Sequence, residues 1–231
     1  MNRTALVAGG TGGLGSALTG KLLDQGWRVV VPWIVESELG RLPEHPKLEL
    51  VQADLFDPSS VESVLDAAVS DSSAPLAAVA NLVGGFSMGP RMHETHVDDF
   101  EQILKLNLRP TYLVTQAALP HLIEAGGGTV VAVSTKAAFN PFSGASGYVT
   151  AKAALWALVN SLAVEYKEDG IRFNAILPSV IDTQGNRDAQ PNVDRRGWVS
   201  PEEIAEVIAF LFSPAAATIT GAQIPVPGVG K

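Results

Sequence analysis

Cysteine is absent from the 231 residues. That excludes disulfides, thiolate metal centres and cysteine nucleophiles together, and it leaves any redox chemistry dependent on a borrowed cofactor. Positive charge is scarce as well. Sixteen Lys and Arg against 24 Asp and Glu give a net charge of −8, and the basic residues form no run, so phosphate backbones are repelled and nucleic acid is not an expected partner. No uncharged apolar stretch reaches the roughly 18 residues that cross a bilayer, because Gly, Pro and charges interrupt every candidate. No membrane association is expected. The chain enters an apolar segment at Thr4 without a basic leader or a cleavage pattern, and the expected location is cytoplasmic.

What is present suits one α/β domain over 1–231, with 46% hydrophobic content to fill a core. Apolar, β-rich runs recur at Thr4–Ala8, Arg28–Val31, Leu48–Gln52, Leu76–Asn81, Thr129–Ser134, Arg172–Leu177 and Gln223–Val226. Helical spacing fills the intervals at Gly13–Gln25, Pro58–Val69, Val97–Ala125, Ser146–Asp169 and Ser200–Phe212. Runs such as Val130-Val131-Ala132-Val133 are apolar at successive positions, as in parallel strands covered on both faces. The expected fold is a doubly wound parallel sheet of about seven strands. Thr183 to Val199 is polar and turn-rich, and reads as a mobile surface loop of the kind that covers active sites.

The first strand runs into Gly9-Gly10-Thr11-Gly12-Gly13-Leu14-Gly15 and then directly into a helix. Missing β-carbons let the backbone approach a pyrophosphate, and the helix N-terminus offers unpaired N–H groups and a favourable dipole. A dinucleotide cradle is expected. Gly9, Gly13 and Gly15 fit one spacing, and Gly9, Gly12 and Gly15 another. No Gly-Lys-Ser/Thr follows, which argues against nucleotide triphosphate hydrolysis. After the second strand comes Trp33-Ile34, with neither an acid for ribose hydroxyls nor a base for a 2′-phosphate, so NAD and NADP are not separated. Trp33 is a candidate for stacking on adenine.

Tyr148 and Lys152 are four apart on a helical pattern and share a face. A tyrosine titrating near 10 exchanges protons poorly at neutrality, and a neighbouring ammonium is expected to lower it into service as a proton donor or acceptor. His93 and His96, three apart, have no third ligand group in view and are not assigned to a metal.

Taken together, these residues resemble the classical short-chain dehydrogenase/reductase family over nearly the whole chain. Its Tyr-x3-Lys falls on Tyr148 and Lys152, and its glycine loop on Gly9, Gly13 and Gly15, with Ala8 where Thr is usual. Its acid after the third strand, an adenine contact, falls on Asp54, beside Leu55; its Asn-Asn-Ala-Gly segment resembles Asn81-Leu82-Val83-Gly84; its water-holding helix Asn falls on Asn107. Pro178, Ile181 and Thr183 resemble the residues that touch the nicotinamide. The family's serine, thirteen positions before the Tyr, is Thr135 here, with Ser134 just before it as the alternative hydroxyl; Lys136-Ala137-Ala138 is locally similar to dihydropteridine reductase, which does without that serine.

The resemblance implies a single-domain Rossmann fold, a cofactor half about 1–135 and a catalytic and substrate half about 136–231, with 183–199 as a lid. It implies NAD or NADP as cofactor, a small carbonyl or alcohol as substrate, and a homodimer or homotetramer joined through the helices of Asn107 and Lys152. The competing expectation is a regulatory protein that binds nicotinamide without turning it over. Phe86, Met88, Phe139, Phe142 and Trp198 hint at an apolar substrate pocket.

Overall fold

A computed structural model describes residues 2–228. Seven parallel strands, β1 Thr4–Ala8, β2 Arg28–Trp33, β3 Leu48–Gln52, β4 Leu76–Asn81, β5 Gly128–Val133, β6 Ile171–Pro178 and β7 Gln223–Val226, lie in the order β3-β2-β1-β4-β5-β6-β7. The helices are α1 Gly13–Asp24, α2 Pro58–Val69, α3 Val97–Glu124, α4 Ser146–Glu165, α5 Gln184–Ala189 and α6 Pro201–Phe212.

Alternation along each strand sends neighbouring side chains to opposite faces. Leu6 and Ala8 join one core with residues of α2, α3 and α4, whereas Ala5 and Val7 join a second core with α1 and α6. Every residue of β1 is therefore buried. This two-sided covering is what the continuous apolar runs encode. Among the described residues no helix is long and apolar enough to cross a membrane.

Helix starts follow local chemistry. Asp57 caps α2 by accepting from the Ser60 N–H at 3.0 Å, with Pro58 in the first turn. Ser200 and Glu203 form a reciprocal capping box on α6, again with Pro in the first turn. The long α3 contains Pro110 and Pro120, each of which lacks the N–H that would close a helical bond.

Strand and helix boundaries shift by a few residues from the sequence reading; α4 stops at Glu165, and Ser134 lies just past β5. The larger difference is in 183–199. A six-residue helix, α5, opens this stretch, started by Thr183 accepting from the Asn186 N–H at 3.3 Å. It is too short to display an apolar period, which is why the sequence reads as a loop. Its flanks are tied as well. Asp182 accepts two hydrogen bonds from Arg187 at 2.6 and 2.8 Å, and Ile181 bridges Val199.

The chain leaves β1 toward β2 and leaves β4 toward β5, so the crossovers diverge between these two neighbours. A crevice opens at the carboxyl ends of such strands. Here the Leu82 N–H donates to Ala8 O at 2.9 Å, bringing the segment after β4 beside the glycine loop after β1.

That loop folds tightly on itself. A β-carbon at Gly15 would lie 2.0 Å from Gly9 O and 2.6 Å from Gly10 Cα, backbone atoms that cannot turn aside, whereas one at Gly20 on the same helix meets nothing within 4 Å. Gly15→Ala is accordingly expected to destabilise the protein by about 2 kcal/mol or more, and Gly20→Ala to be neutral or to stabilise it by up to about 1 kcal/mol. Paired denaturant melts of the two variants check this contrast.

Candidate active site

Gly12 begins α1 with no side-chain cap, and the first turn carries no acid. The helix N-terminus therefore keeps its N–H groups and dipole for an anion. Gly9 adopts φ +86°, and a β-carbon there would press on the backbone of Leu82 and Val83 at 3.2 and 3.1 Å. Across the loop, a β-carbon at Gly13 would lie 2.7 Å from Thr183 Cγ2. The cradle is thus walled by the segment after β4 on one side and by Thr183 on the other. Its bare glycine backbone fits a pyrophosphate.

Of the expected cofactor residues, Leu14 and Leu55 are buried in the two cores, so only their main-chain groups can reach a ligand. Asp54 is exposed and accepts from the Phe56 N–H at 2.9 Å, forming the turn that leads to α2. Asn81 is buried; its amide donates to Thr115 at 3.0 Å, while its oxygen has no partner among the described residues. Trp33 closes β2, half-buried, with Gln52 as its neighbour on β3. Pro178 ends β6 in the core, and Ile181 packs partly into it.

The side chains expected to react gather at the start of α4. Tyr148 is mostly buried, which pushes its phenol above the ordinary value of 10; a hydrogen bond from Thr135 acts against that shift. The expected lowering of the phenol by Lys152 is not what this environment produces. Burial governs the lysine too. Its ammonium donates to Val133 O at 2.8 Å and is held down at about 8 by desolvation.

Thr135 and Ser134 part company. Ser134 is 2% exposed, and its hydroxyl donates to the main-chain oxygen of Lys152 at 2.9 Å, fastening α4 to the end of β5. That engagement removes Ser134 as the alternative hydroxyl facing substrate. Thr135, half-buried, faces the phenol and accepts from the Ala137 N–H at 3.2 Å.

Asn107 is fully buried and spends its side chain on main-chain groups. Its oxygen accepts from Gly85 N at 3.2 Å, and its amide donates to Gly85 O and Ile103 O at 3.1 and 3.0 Å. A β-carbon on Gly84 would come within 2.6 Å of Asn107 Oδ1 and 3.0 Å of Lys152 Nζ. The loop after β4 therefore runs between the asparagine and the lysine.

Beside Tyr148 opens a cleft of about 340 Å³, bordered by Phe86, Phe100, Ile103, Leu106 and Ser87. Phe86 meets the Tyr148 ring edge-on at 5.1 Å and Phe142 at 6.3 Å. Met88 borders the same region, at the Gly89–Gly144 contact that joins the two loops. Phe139 instead packs on Trp156, and Trp198 lies under Arg195. His96 accepts from the Asp98 N–H at 3.2 Å and starts α3, while His93 lies 3.9 Å from Glu94.

Sequence reasoning missed Glu38 and Arg41, which touch the glycine loop from a 3₁₀ turn at Glu36–Arg41. The loop's lack of an acid or base at the end of β2 was the one available signal that something else stands there.

A parallel sheet with a glycine cradle at its switch point and a tyrosine–lysine pair beside it is the architecture of a nicotinamide-dependent oxidoreductase. The chain belongs to the short-chain dehydrogenase/reductase family, whose pattern, described as short chain dehydrogenase, matches residues 3–194. It is similar to 2-(R)-hydroxypropyl-CoM dehydrogenase of Xanthobacter autotrophicus, 29% identical, with 99% of this chain and 98% of that protein covered. Cis-4-hydroxycyclohexanecarboxylate dehydrogenase of Sinomonas cyclohexanicum is 32% identical, covering 98% and 95%. In fold it matches the 3-ketoacyl-(acyl-carrier-protein) reductase of Brucella melitensis solved with NADH, at a TM-score of 0.85 and 24% identity, covering 97% and 96%. The protein is thus an oxidoreductase that uses NAD or NADP and acts on alcohols or carbonyls.

Two outcomes follow from this geometry. Ser134→Ala is expected to lose about 1 kcal/mol of stability and to keep kcat within about threefold, while Thr135→Val, which gives up the bond from the Ala137 N–H, loses about 1 kcal/mol as well and loses turnover about 10-fold or more; steady-state rates, with melts on the same preparations, separate the two hydroxyls. The second concerns pH. The folded pKa of Lys152 lies below its ordinary 10.5, so the unfolded chain binds the extra proton between about pH 8 and 10.5. The penalty of the buried charge is full below pH 8 and is relieved across that window. Relative to Lys152→Met, the native protein should gain up to about 3 kcal/mol as pH rises from 8 to 10.5, read from paired denaturant melts at each pH.

Proposed function

We propose that the protein carries out reversible hydride transfer between a nicotinamide and a small, largely apolar carbonyl or secondary alcohol, with Thr135, Tyr148 and Lys152 as the reacting group. The observation that carries this reading is the meeting of the Thr135 hydroxyl and the Tyr148 phenol at a cleft lined by Phe86 and Leu106. A bound dinucleotide supplies or accepts the hydride. Thr135 donates to the substrate carbonyl oxygen and orients it. Tyr148, kept protonated at neutral pH by its burial, donates its proton to that oxygen as negative charge develops there, and takes it back in the alcohol-oxidising direction. Lys152 keeps two N–H donors beyond its bond to Val133 O and holds the nicotinamide ribose, its charge favouring the tyrosinate once the proton has left. Asn107 is a positioning residue: by clamping Gly85 it sets the loop that separates it from Lys152.

The cofactor groups divide along the cradle. Gly9, Thr11, Gly12, Gly13, Leu14 and Gly15 hold the pyrophosphate and adjoining ribose through main-chain groups, while Asp54, Leu55, Asn81 and Gly84 border the adenosine side and the loop after β4. Pro178, Ile181 and Thr183 border the nicotinamide, and the α5 segment behind Thr183 acts as a lid. Trp33 borders the adenine. On this reading the cofactor half is about 1–135 and the catalytic and substrate half about 136–231.

The apolar character of the substrate is supported by Phe86, Phe100, Ile103 and Leu106 at the cleft, and a secondary alcohol on a ring by the name of the Sinomonas relative. Exposed Tyr112 on α3 and Val164 on α4 suit a homodimer or homotetramer, and the cysteine-free composition suits a cytoplasmic setting. A purely regulatory role is disfavoured by a half-buried hydroxyl pair at the cleft that binding alone does not require.

Tyr148→Phe is expected to lower kcat on cyclic and aryl ketones by about 10²- to 10⁴-fold, with dinucleotide affinity, read by calorimetry, within about threefold of the native value. Turnover near the native rate would overturn the assignment.

A further inference from the structure

The end of β2, where an acid would meet the ribose hydroxyls, carries Trp33 and Ile34 instead. Just beyond, the chain winds through the 3₁₀ turn Glu36–Arg41. At three residues per turn, Glu38 and Arg41 stand one above the other, and both reach Thr11 of the glycine loop. Glu38 Oε2 accepts from Thr11 Oγ1 at 2.7 Å, Arg41 Nη1 donates to Thr11 O at 3.1 Å, and Arg41 donates to Glu38 Oε1 at 3.0 Å. Thr11 itself is 6% exposed. A carboxylate and its guanidinium partner are thus fastened to the lip of the cradle.

We propose that Glu38 is the acid that reads the adenosine ribose, with Arg41 as its positioning residue, and that the pair makes this protein selective for NAD(H) over NADP(H). The inference rests on the nicotinamide-binding reading of the cradle and adds to it the choice between the two dinucleotides. Three observations favour the unphosphorylated cofactor. The carboxylate, not the guanidinium, meets the loop's side-chain hydroxyl, and it stands 23 residues past Gly15, near the interval at which a dinucleotide fold supplies its ribose acid. Its oxygens have lone pairs left to accept from a ribose diol, whereas a 2′-phosphate brought beside it meets like charge. Arg41, finally, has its Nη1 engaged by both Glu38 Oε1 and the Thr11 carbonyl, so a phosphate drawn to its remaining N–H groups would still meet the Glu38 carboxylate held beside it. Glu38 keeps about a third of its side chain exposed, enough to meet a ligand.

The test measures NADH and NADPH binding by calorimetry on the native protein and on Glu38→Gln, Glu38→Asp and Arg41→Ala, each checked for a native melt. The native protein is expected to bind NADH at least tenfold more tightly than NADPH. Glu38→Gln should narrow that ratio at least tenfold, Glu38→Asp should retain part of it, and Arg41→Ala should leave NADPH no weaker relative to NADH. A native preference for NADPH, or an Arg41→Ala variant that loses NADPH selectively, would overturn the assignment while leaving the cradle reading intact. Failure of both dinucleotides to bind would overturn both.

Discussion

The arrangement depends on one constraint of chain geometry: β1 and β4 lie side by side and parallel, yet their chains depart to opposite flanks of the sheet. The crevice left between the departing segments brings the loop after β1 beside the loop after β4. Each of the two loops must then pass close to the other, and the Ala8–Leu82 hydrogen bond shows how close. Side chains would fill this crossing. Gly9, Gly13, Gly15 and Gly84 keep it open, and the open space is what a dinucleotide can use.

Burial does most of the electrostatic tuning on the catalytic side. Tyr148 and Lys152 share a helix face, but each responds chiefly to loss of water: the phenol holds its proton more firmly, the ammonium less so. The two shifts draw their proton affinities apart, the ammonium falling to about 8 while the phenol rises above its ordinary 10, and the lysine's bond to Val133 O points its charge into the strand end. Proximity in sequence gave the pair. Its chemistry comes from the sheet and from α3, which exclude solvent around it.

Long-period features were readable from residues alone. Strands in the middle of the sheet carry continuous apolar runs and the edge strands shorter ones, and helices of twelve residues or more have room for their period, so β1 to β7 and the five long helices stand where the patterns put them, give or take a few residues. Family resemblance added Asn107, whose role on Gly85 no spacing argument would reveal. What escaped was short or three-dimensional. The turn at Glu36–Arg41 and helix α5 are each six residues long, and a motif that length has no period to read. Ser134 and Thr135 are chemically alike, and only their directions distinguish an anchor from a group facing the phenol.

Those directions carry a consequence for how such a chain can vary. Ser134 leaves the strand pointing into the protein, to the backbone of Lys152, and the next residue must therefore point the other way. The order of the anchor and the hydroxyl that faces the phenol is thus written into the parity of the strand: a single residue inserted between Val133 and Ser134 would turn Ser134 toward the phenol and Thr135 inward while conserving both side chains. Serine and threonine can replace each other at Thr135, but the count of residues leading up to it is not free to drift.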